Sequence, residues 1–197
     1  MEEAIRPQAV ALDARLAAAS DAELVAACAE GVQEAFRELL RRYRKSAMML
    51  AYQMLGNGED AEDIAQEAFV RVFQAVPKFR GESAFSTWLY RIVTNLCLGR
   101  MRRSHPTVAL ESVAEPGTAD GPAQQVAEGM LTREVLAAMP PELRVVLLLR
   151  EQEGLSYGEI SGALHLPMGT VRSRLSKARK RFRKVWNQLG ESREKTK

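Results

Sequence analysis

The sequence predicts an all-α protein made of two small helical domains that a flexible linker joins. Its 197 residues are rich in alanine, leucine, glutamate and arginine, which favour helices, while β-branched residues are sparse. Apolar residues recur at helical spacing on both sides of residues 104–125, a segment with three prolines and two glycines. Because that segment has few large apolar groups, it cannot bury a core and is predicted to be the linker.

Composition excludes several classes of protein. With 46% hydrophobic and 27% charged residues, the chain is expected to be globular. Its longest apolar runs fall far short of the roughly 20 residues that span a bilayer, and no basic-then-apolar stretch opens the sequence. We therefore expect no membrane insertion, no signal peptide and a cytoplasmic location.

Catalytic and metal-binding residues are scarce. The two cysteines and two histidines are widely scattered, so no zinc-binding spacing can be drawn, and the unpaired cysteines fit a reducing compartment. The usual residues for nucleophilic or histidine-based catalysis are also missing. We expect no enzyme activity, no small-molecule substrate, no cofactor and no metal.

Basic charge is concentrated near the C-terminus. The stretch from Arg172 to Lys184 contains eight basic residues and no acidic one, which leaves 20 basic residues against 25 acidic ones elsewhere. One short segment therefore carries the affinity for polyanions, in an otherwise acidic chain.

The N-terminal half is predicted to be an extension over residues 1–19 followed by a helical domain over 20–103. Ser20 and Glu23 have the spacing of a capping box that starts a helix. A longer helix with an apolar stripe ends at Gly56, and the next one ends at Pro77. After a short loop, a further helix is expected to begin at Ser83.

The second domain is predicted over residues 126–192, before a charged tail at 193–197. One helix closes at Pro140, and another runs from Glu142 to about Glu151. A second capping box at Ser156 and Glu159 begins a short helix, and a turn then leads into a long one.

That short helix, turn and long helix follow the helix-turn-helix pattern, in which the second helix enters the major groove of DNA. With Val171, Leu175 and Ala178 facing inward, polar and basic side chains project outward near its start. An arginine can pair with guanine there, although a basic helix can also be a merely solvated face. The candidates for duplex contact are Thr170, Arg172, Ser173, Ser176, Lys177, Arg179 and Lys180.

A second pattern is acidic. Five acidic residues lie between Lys45 and Arg71, with no basic residue among them. Some of them fit plain capping of a helix N-terminus, but Asp63 and Glu67 lie too deep in the helix for that role. An outer face formed by Asp60, Asp63, Gln66 and Glu67 is therefore the candidate docking surface for a basic partner.

The third pattern combines aromatic and basic residues from Phe79 onward. Phe79 and Arg80 fall in a loop, where burial is not forced, and aromatic side chains beside cations bind unstacked single-stranded bases. Trp88 is at core-like helical spacing, so burial is the stronger expectation for it. Several arginines follow, including Arg91, Arg102 and Arg103, with no acidic residue between Glu82 and Glu111, although solubility alone could explain such a set.

Two stretches carry a family resemblance. Gly154-Leu-Ser-Tyr-Gly-Glu-Ile and Pro167-Met-Gly-Thr-Val-Arg-Ser-Arg-Leu resemble region 4 of bacterial sigma factors, although response-regulator output domains contain a similar helix-turn-helix. Asp60-Ala-Glu-Asp-Ile-Ala-Gln-Glu-Ala-Phe69 and the sequence from Phe79 to Ile92 resemble region 2. The order of the motifs over residues 20–190, with no region 3 between them, is similar to the extracytoplasmic-function (group IV) sigma factors of the sigma-70 family.

This resemblance implies a dissociable, non-catalytic subunit that directs transcription initiation. The acidic face would dock on the clamp helices of the largest catalytic subunit of RNA polymerase, and the second domain on the flap of the second-largest subunit. The helix-turn-helix would read the −35 promoter element as duplex, and a base of the −10 element would be trapped at Phe79 and Asn95. The residues assigned to the −10 element are Phe79, Arg80, Ser83, Trp88, Arg91, Asn95, Arg102 and Arg103.

The family also implies a cognate anti-sigma factor and a role in stress response. Two other functions stay open from the residues. A dimeric helix-turn-helix repressor would bind operator DNA without polymerase, but it would leave the acidic helix and the aromatic loop without a role. A sigma-mimicking interaction protein would copy the acidic domain, and it would have no need of an intact basic recognition helix.

Overall fold

The computed structural model describes residues 7–79, 81–104 and 123–194. Within these ranges the chain forms helices and no strand, which confirms the all-α prediction. The N-terminal unit contains α1 (Pro7–Ala18), α2 (Asp21–Ala29), α3 (Gln33–Leu55), α4 (Gly58–Ala75), a 3-10 turn (Val76–Lys78) and α5 (Phe85–Ser104). The C-terminal unit contains α6 (Ala123–Ala137), α7 (Pro141–Glu151), α8 (Tyr157–Leu164) and α9 (Met168–Glu194).

Helix ends in the N-terminal unit follow the local sequence. The Ser20 amide donates to the Glu23 carboxylate (2.7 Å) and the Glu23 amide donates to Ser20 Oγ (3.3 Å), which completes the predicted capping box of α2. Gly56 ends α3 with a φ of 78°, a left-handed conformation that a residue without a Cβ adopts at no steric cost. Asn57 then accepts a hydrogen bond from the Glu59 amide (2.9 Å) and caps α4.

An ion-pair network fastens the first two helices to α3. The Arg42 guanidinium bonds to Glu38 (2.8 Å), to Asp21 (3.0 Å) and to three backbone carbonyls at residues 16–19. Glu38 is buried, and its hydrogen bonds with Arg41 and Arg42 lower its pKa to about 2. The predicted N-terminal extension therefore contains an ordered helix that is held against the domain.

Two boundaries differ from the prediction. The hydroxyl of Ser83 donates to the Ala84 carbonyl (3.3 Å), and α5 begins two residues later, at Phe85. Helix α6 begins at Ala123, inside the predicted linker, because alanine and glutamine favour a helix once Pro122 has been passed. Most of the predicted linker, 105–122, lies outside the described residues.

The C-terminal unit is a small bundle in which α8 and α9 form the helix-turn-helix. Ser156 and Glu159 make the second predicted capping box (3.2 Å and 2.8 Å) at the start of α8. His165 ends α8 in a left-handed conformation (φ 51°), which turns the chain into α9. Buried Val171, Leu175 and Ala178 attach α9 to its unit, as the periodicity predicts.

The two units pack against each other. Helix α5 lies against α8, and α3 contacts both α6 and α7. Buried apolar side chains of α2 to α5 therefore form one continuous cluster with those of α7 to α9. This arrangement places the loop around Phe79 beside the helix-turn-helix.

Candidate nucleic-acid interface

The start of α9 presents a polar and basic surface. Arg172, Ser173, Ser176 and Lys177 are exposed, and they lie on the side of the helix opposite the buried apolar row. Thr170 is half-buried, and its carbonyl accepts a hydrogen bond from Ser173 Oγ (3.0 Å). These side chains can meet base edges when the N-terminal turns of α9 enter a major groove.

Further along α9, two of the candidate basic residues have different surroundings. The Arg179 guanidinium makes two bonds to Glu151 of α7 (2.7 Å and 3.0 Å), and this pairing raises its pKa. Arg179 is therefore held toward α7 in this state, whereas Lys180 is exposed on the outside of the helix. A phosphate would have to replace Glu151 as the partner of Arg179.

The candidate −10 residues fall into two groups. Arg91, Asn95 and Arg102 are spaced by four and seven residues on α5, so they share one face of the helix over about 17 Å. Asn95, Arg102 and Arg103 are exposed, while Arg91 is half-buried. This face offers two arginines and one amide to a nucleic-acid strand, and the exposed Arg103 follows directly after Arg102.

The second group lies around the aromatic loop. The rings of Phe79 and Trp88 stack at 4.6 Å between centroids, and Ser83 and Arg91 line the same cleft of about 710 Å³. Trp88 is only 8% exposed, so it supports Phe79 from the core and does not present a free face. Arg80 lies outside the described residues. The sequence patterns did not single out Lys78, which adds a further cation to this cleft.

The acidic face of α4 forms ion pairs with one arginine of α5 and with one arginine of α4 itself. Asp60 and Asp63 face Arg100 of α5 at 3.1 Å and 3.4 Å, and Glu67 pairs with Arg71 at 2.5 Å. Asp63, Gln66 and Glu67 remain exposed, and Asp60 is half-buried. The linear sequence shows a span free of basic residues, whereas the fold brings Arg100 to it from 37 positions away.

An apolar groove borders this acidic face. It measures about 450 Å³, and its residues come from α3 and α4: Phe36, Leu40, Arg44, Met48, Glu62, Ala65, Gln66, Phe69, Val70 and Phe73. Phe73 has the helical spacing of the apolar residues that face the core, yet its side chain is 54% exposed and touches Phe36 edge-on at 5.0 Å. Apolar residues occupy more than one face of α4 near its end, at positions 68–70, 72 and 73. This pattern could have indicated the groove, because one buried face does not account for all of them.

No cluster of three or more histidine, cysteine, aspartate or glutamate side chains in the described parts of the chain has the arrangement that a metal ion needs. Burial raises the pKa of Cys97 to about 12, which keeps this thiol protonated. Among the helices of residues 7–79, 81–104 and 123–194, none has the length and apolar character to cross a membrane.

Comparison with known proteins assigns the two units. The family model described as Sigma-70 region 2 matches residues 39–107, and the one described as Sigma-70, region 4 matches residues 130–182. The extracytoplasmic-function (ECF) sigma factor SigW of Bacillus subtilis is 36% identical over 176 residues, which cover 81% of this chain and 93% of that protein. SigM of Mycobacterium tuberculosis is 37% identical over 172 residues, or 86% of each chain.

Solved structures agree on the fold. CnrH, determined in complex with the cytosolic domain of CnrY, superposes with a TM-score of 0.66 at 24% identity, covering 85% of this chain and 97% of that one. RpoE of Bartonella quintana, determined with the anti-sigma factor NepR, gives 0.66 at 22% identity over 77% and 96%. With both regions matched in order along one chain, the protein belongs to the extracytoplasmic-function sigma factors of the sigma-70 family, the promoter-specificity subunits of bacterial RNA polymerase.

Proposed function

We propose that this sigma factor uses three separate surfaces to start transcription at its promoters. The exposed start of α9 reads the −35 element as duplex, the Phe79 cleft and the face of α5 hold the −10 element as a single strand, and α4 docks on core RNA polymerase. The observation that carries the proposal is the exposure of Arg172, Ser173, Ser176 and Lys177 opposite a buried apolar row, directly after a capped helix and a turn. That geometry is what a recognition helix requires.

At the −35 element, Arg172 is the residue proposed to specify sequence. An arginine in the first turns of a recognition helix can donate two hydrogen bonds to one guanine. Ser173 and Ser176 reach bases or phosphates, while Lys177, Arg179 and Lys180 neutralise the backbone as the helix leaves the groove. These contacts would determine which base is preferred at each position of the −35 element.

At the −10 element, Phe79 is the proposed platform for an unpaired base. Its ring is half-buried and braced by Trp88, so a base can stack on it at a small entropic cost. Arg91, Arg102 and Arg103 attract the strand, and Asn95 offers an amide for a base edge. Stacking contributes roughly 1–3 kcal/mol per base, which helps to offset the cost of unpairing.

Docking on the polymerase is proposed at the acidic face of α4 and the groove beside it. An apolar centre with a polar rim is the usual anatomy of a protein interface. Gln66 belongs both to the acidic face and to the lining of the groove, which also contains Arg44 and Glu62. The proposed partner is the pair of clamp helices of the largest catalytic subunit. The C-terminal unit is proposed to contact the flap of the second-largest subunit.

A cognate anti-sigma factor is the proposed regulator, since RpoE of Bartonella quintana was solved in complex with one. A role in stress response and a cytoplasmic location follow from the family and from the partners, which are polymerase and promoter DNA. The chain itself is proposed to have no catalytic activity, no cofactor, no metal and no small-molecule substrate.

The experiment that tests the −10 assignment is Phe79→Ala, with Phe79→Tyr as the matched control that keeps the ring. We expect the alanine variant to leave binding to −35 duplex unchanged and to reduce the fraction of open promoter complex by about 5- to 150-fold, which corresponds to the loss of one stacked base. Permanganate reactivity of unpaired thymines measures the open fraction. Equal melting by the alanine variant and the wild type would remove Phe79 from the strand site.

A further inference from the structure

A groove of about 540 Å³ lies between α6, α7 and α9, with one residue of α3 contributing to its lining. Of the residues assigned above to promoter or polymerase contacts, only Arg179 lines it. The apolar part of the lining consists of Leu136, Leu147, Leu148 and Phe182, and the three leucines are buried. An apolar lining with a few polar groups, at this volume, is typical of sites that hold one small organic molecule.

The charged side chains that line this groove do not balance. They are Glu151 of α7 and Arg179 and Arg183 of α9. Glu151 accepts two hydrogen bonds from Arg179 (2.7 Å and 3.0 Å), so these two charges offset each other. Arg183 is exposed, and none of the carboxylates in the described part of the chain forms an ion pair with it. The groove therefore carries one surplus positive charge.

Arg183 is placed to reach a group bound in the groove. It follows Arg179 by four residues, so the two side chains lie on the same side of α9. Its neighbour Phe182 is half-buried and stacks on Trp186 at 5.8 Å between ring centroids. A cation beside an apolar lining suits a molecule with an apolar body and one anionic end, because burial of the body and pairing of the charge both favour binding. A neutral or cationic molecule would leave Arg183 without a partner.

We propose that this groove binds a free, single-chain carboxylic acid, with the chain against the leucines and the carboxylate on Arg183. The acid is a ligand of the sigma factor and is not chemically changed by it. Because the groove has the volume of one small molecule, the occupant is an acid in solution and not a lipid surface. An acidic side chain on an apolar helix of a partner protein carries the same charge, and the test separates this alternative.

Occupancy of the groove also weakens binding to the −35 duplex. A bound carboxylate adds a negative charge beside Arg179, which is proposed to neutralise the DNA backbone as α9 leaves the major groove. Phosphate neutralisation of this kind contributes directly to affinity. By linkage, duplex binding weakens binding of the acid by the same factor. This consequence rests on the proposed phosphate contact of Arg179, whereas the binding site itself does not.

Isothermal titration calorimetry of the full chain tests the site, with decanoic acid below the concentration at which it forms micelles. Decanol is the comparison ligand, because it has the same chain and no charge. Arg44→Ala is the matched control for Arg183→Ala, since Arg44 lines the other apolar groove, between α3 and α4. We expect one molecule of decanoic acid to bind per chain. Arg183→Ala weakens its binding about three- to tenfold, the range for one partly exposed ion pair, and leaves decanol unaffected, while Arg44→Ala changes neither.

Three results would overturn the proposal. Without saturable binding of decanoic acid, a partner protein would be the better occupant of the groove. If Arg183→Ala left the affinity for decanoic acid unchanged, no carboxylate would lie on Arg183. An equal loss in Arg44→Ala would place the acid in the groove between α3 and α4.

Fluorescence anisotropy with a labelled −35 duplex, at constant ionic strength, tests the consequence. We expect saturating decanoic acid to weaken duplex binding by the wild type about two- to fivefold, as for one screened phosphate contact, and to affect Arg183→Ala less at the same concentration. Arg179→Ala without acid separates the two proposals. If it binds duplex as the wild type does, the proposed phosphate contact fails, and calorimetry alone decides the acid site. If it weakens duplex binding while the acid does not, the coupling between the two ligands is overturned.

Discussion

Arg172 is the residue on which the proposed promoter specificity depends most. It is exposed in the first turns of α9, and the helix is fixed in place by Val171 and Leu175, which are buried on its opposite side. A side chain on a firmly packed helix loses little additional freedom when it pairs with a base. Its contribution can therefore be separated from that of the phosphate-binding residues that follow.

We predict that Arg172→Ala weakens binding at one position of the −35 element by about 1–3 kcal/mol and relaxes the base preference there. Lys180→Ala is the comparison, because a phosphate contact should weaken all sequences alike and lower the salt slope by about one. Binding to a set of single-substituted −35 duplexes at two salt concentrations distinguishes the two. A uniform loss for Arg172→Ala would show that it contacts only phosphate.

For single residues, the sequence predicts which face of a helix a side chain occupies better than it predicts which residue that side chain contacts. Periodicity of 3.6 residues correctly placed Val171 inside and Arg172 outside, since both positions follow from a single helix. The pairing of Arg179 with Glu151 joins residues 28 positions apart, and no local pattern encodes it. The exposure of Phe73 has a related cause, because a helix face is buried only where a neighbouring helix covers it.

Helix α4 is the element that carries the proposed polymerase contact. Its acidic residues have arginine partners that a basic docking surface would replace, and exposed pairs of this kind are worth little in water. Asp63 and Glu67 lie beyond the first turn, so their loss should not affect the capping of the helix by Asn57.

We predict that Asp63→Arg combined with Glu67→Arg reduces affinity for core polymerase at least tenfold and leaves binding to −35 duplex unchanged. The two new arginines would face the proposed basic surface of the polymerase, and like charges facing each other at an interface cost several kcal/mol. The control is Glu30→Arg with Glu191→Arg, an equal change of charge at exposed positions directly after α2 and on α9. Competition against labelled wild type for core polymerase gives the affinities, and an unchanged value for the α4 variant would remove the docking face.

The elements themselves could largely be predicted. Several helix ends depend on local signals: the two capping boxes, the left-handed Gly56 and the proline after α4. Each of these ends follows from a few neighbouring residues. The start of α5 differed because Ser83 bonds to its neighbour's carbonyl and does not cap. The groove between α3 and α4 was not predicted, since it is created by two helices that leave apolar side chains uncovered.

Contacts between the two helical units are a property of the whole folded molecule. The Thr87–Glu159 and Arg133–Tyr52 contacts join positions 72 and 81 residues apart, on opposite sides of the predicted linker. The two-domain organisation could be predicted from composition, but the packing of one unit on the other could not. No local pattern in the sequence encodes which helices of the two units meet.

The most direct test of the account is size-exclusion chromatography of the full chain with bacterial core RNA polymerase and a promoter fragment that carries both elements. We predict one stoichiometric complex of all three components at low and at moderate salt. A chain that fails to co-migrate with polymerase and yet binds duplex tightly by itself would contradict the account. Such a result would favour a helix-turn-helix repressor that acts without polymerase.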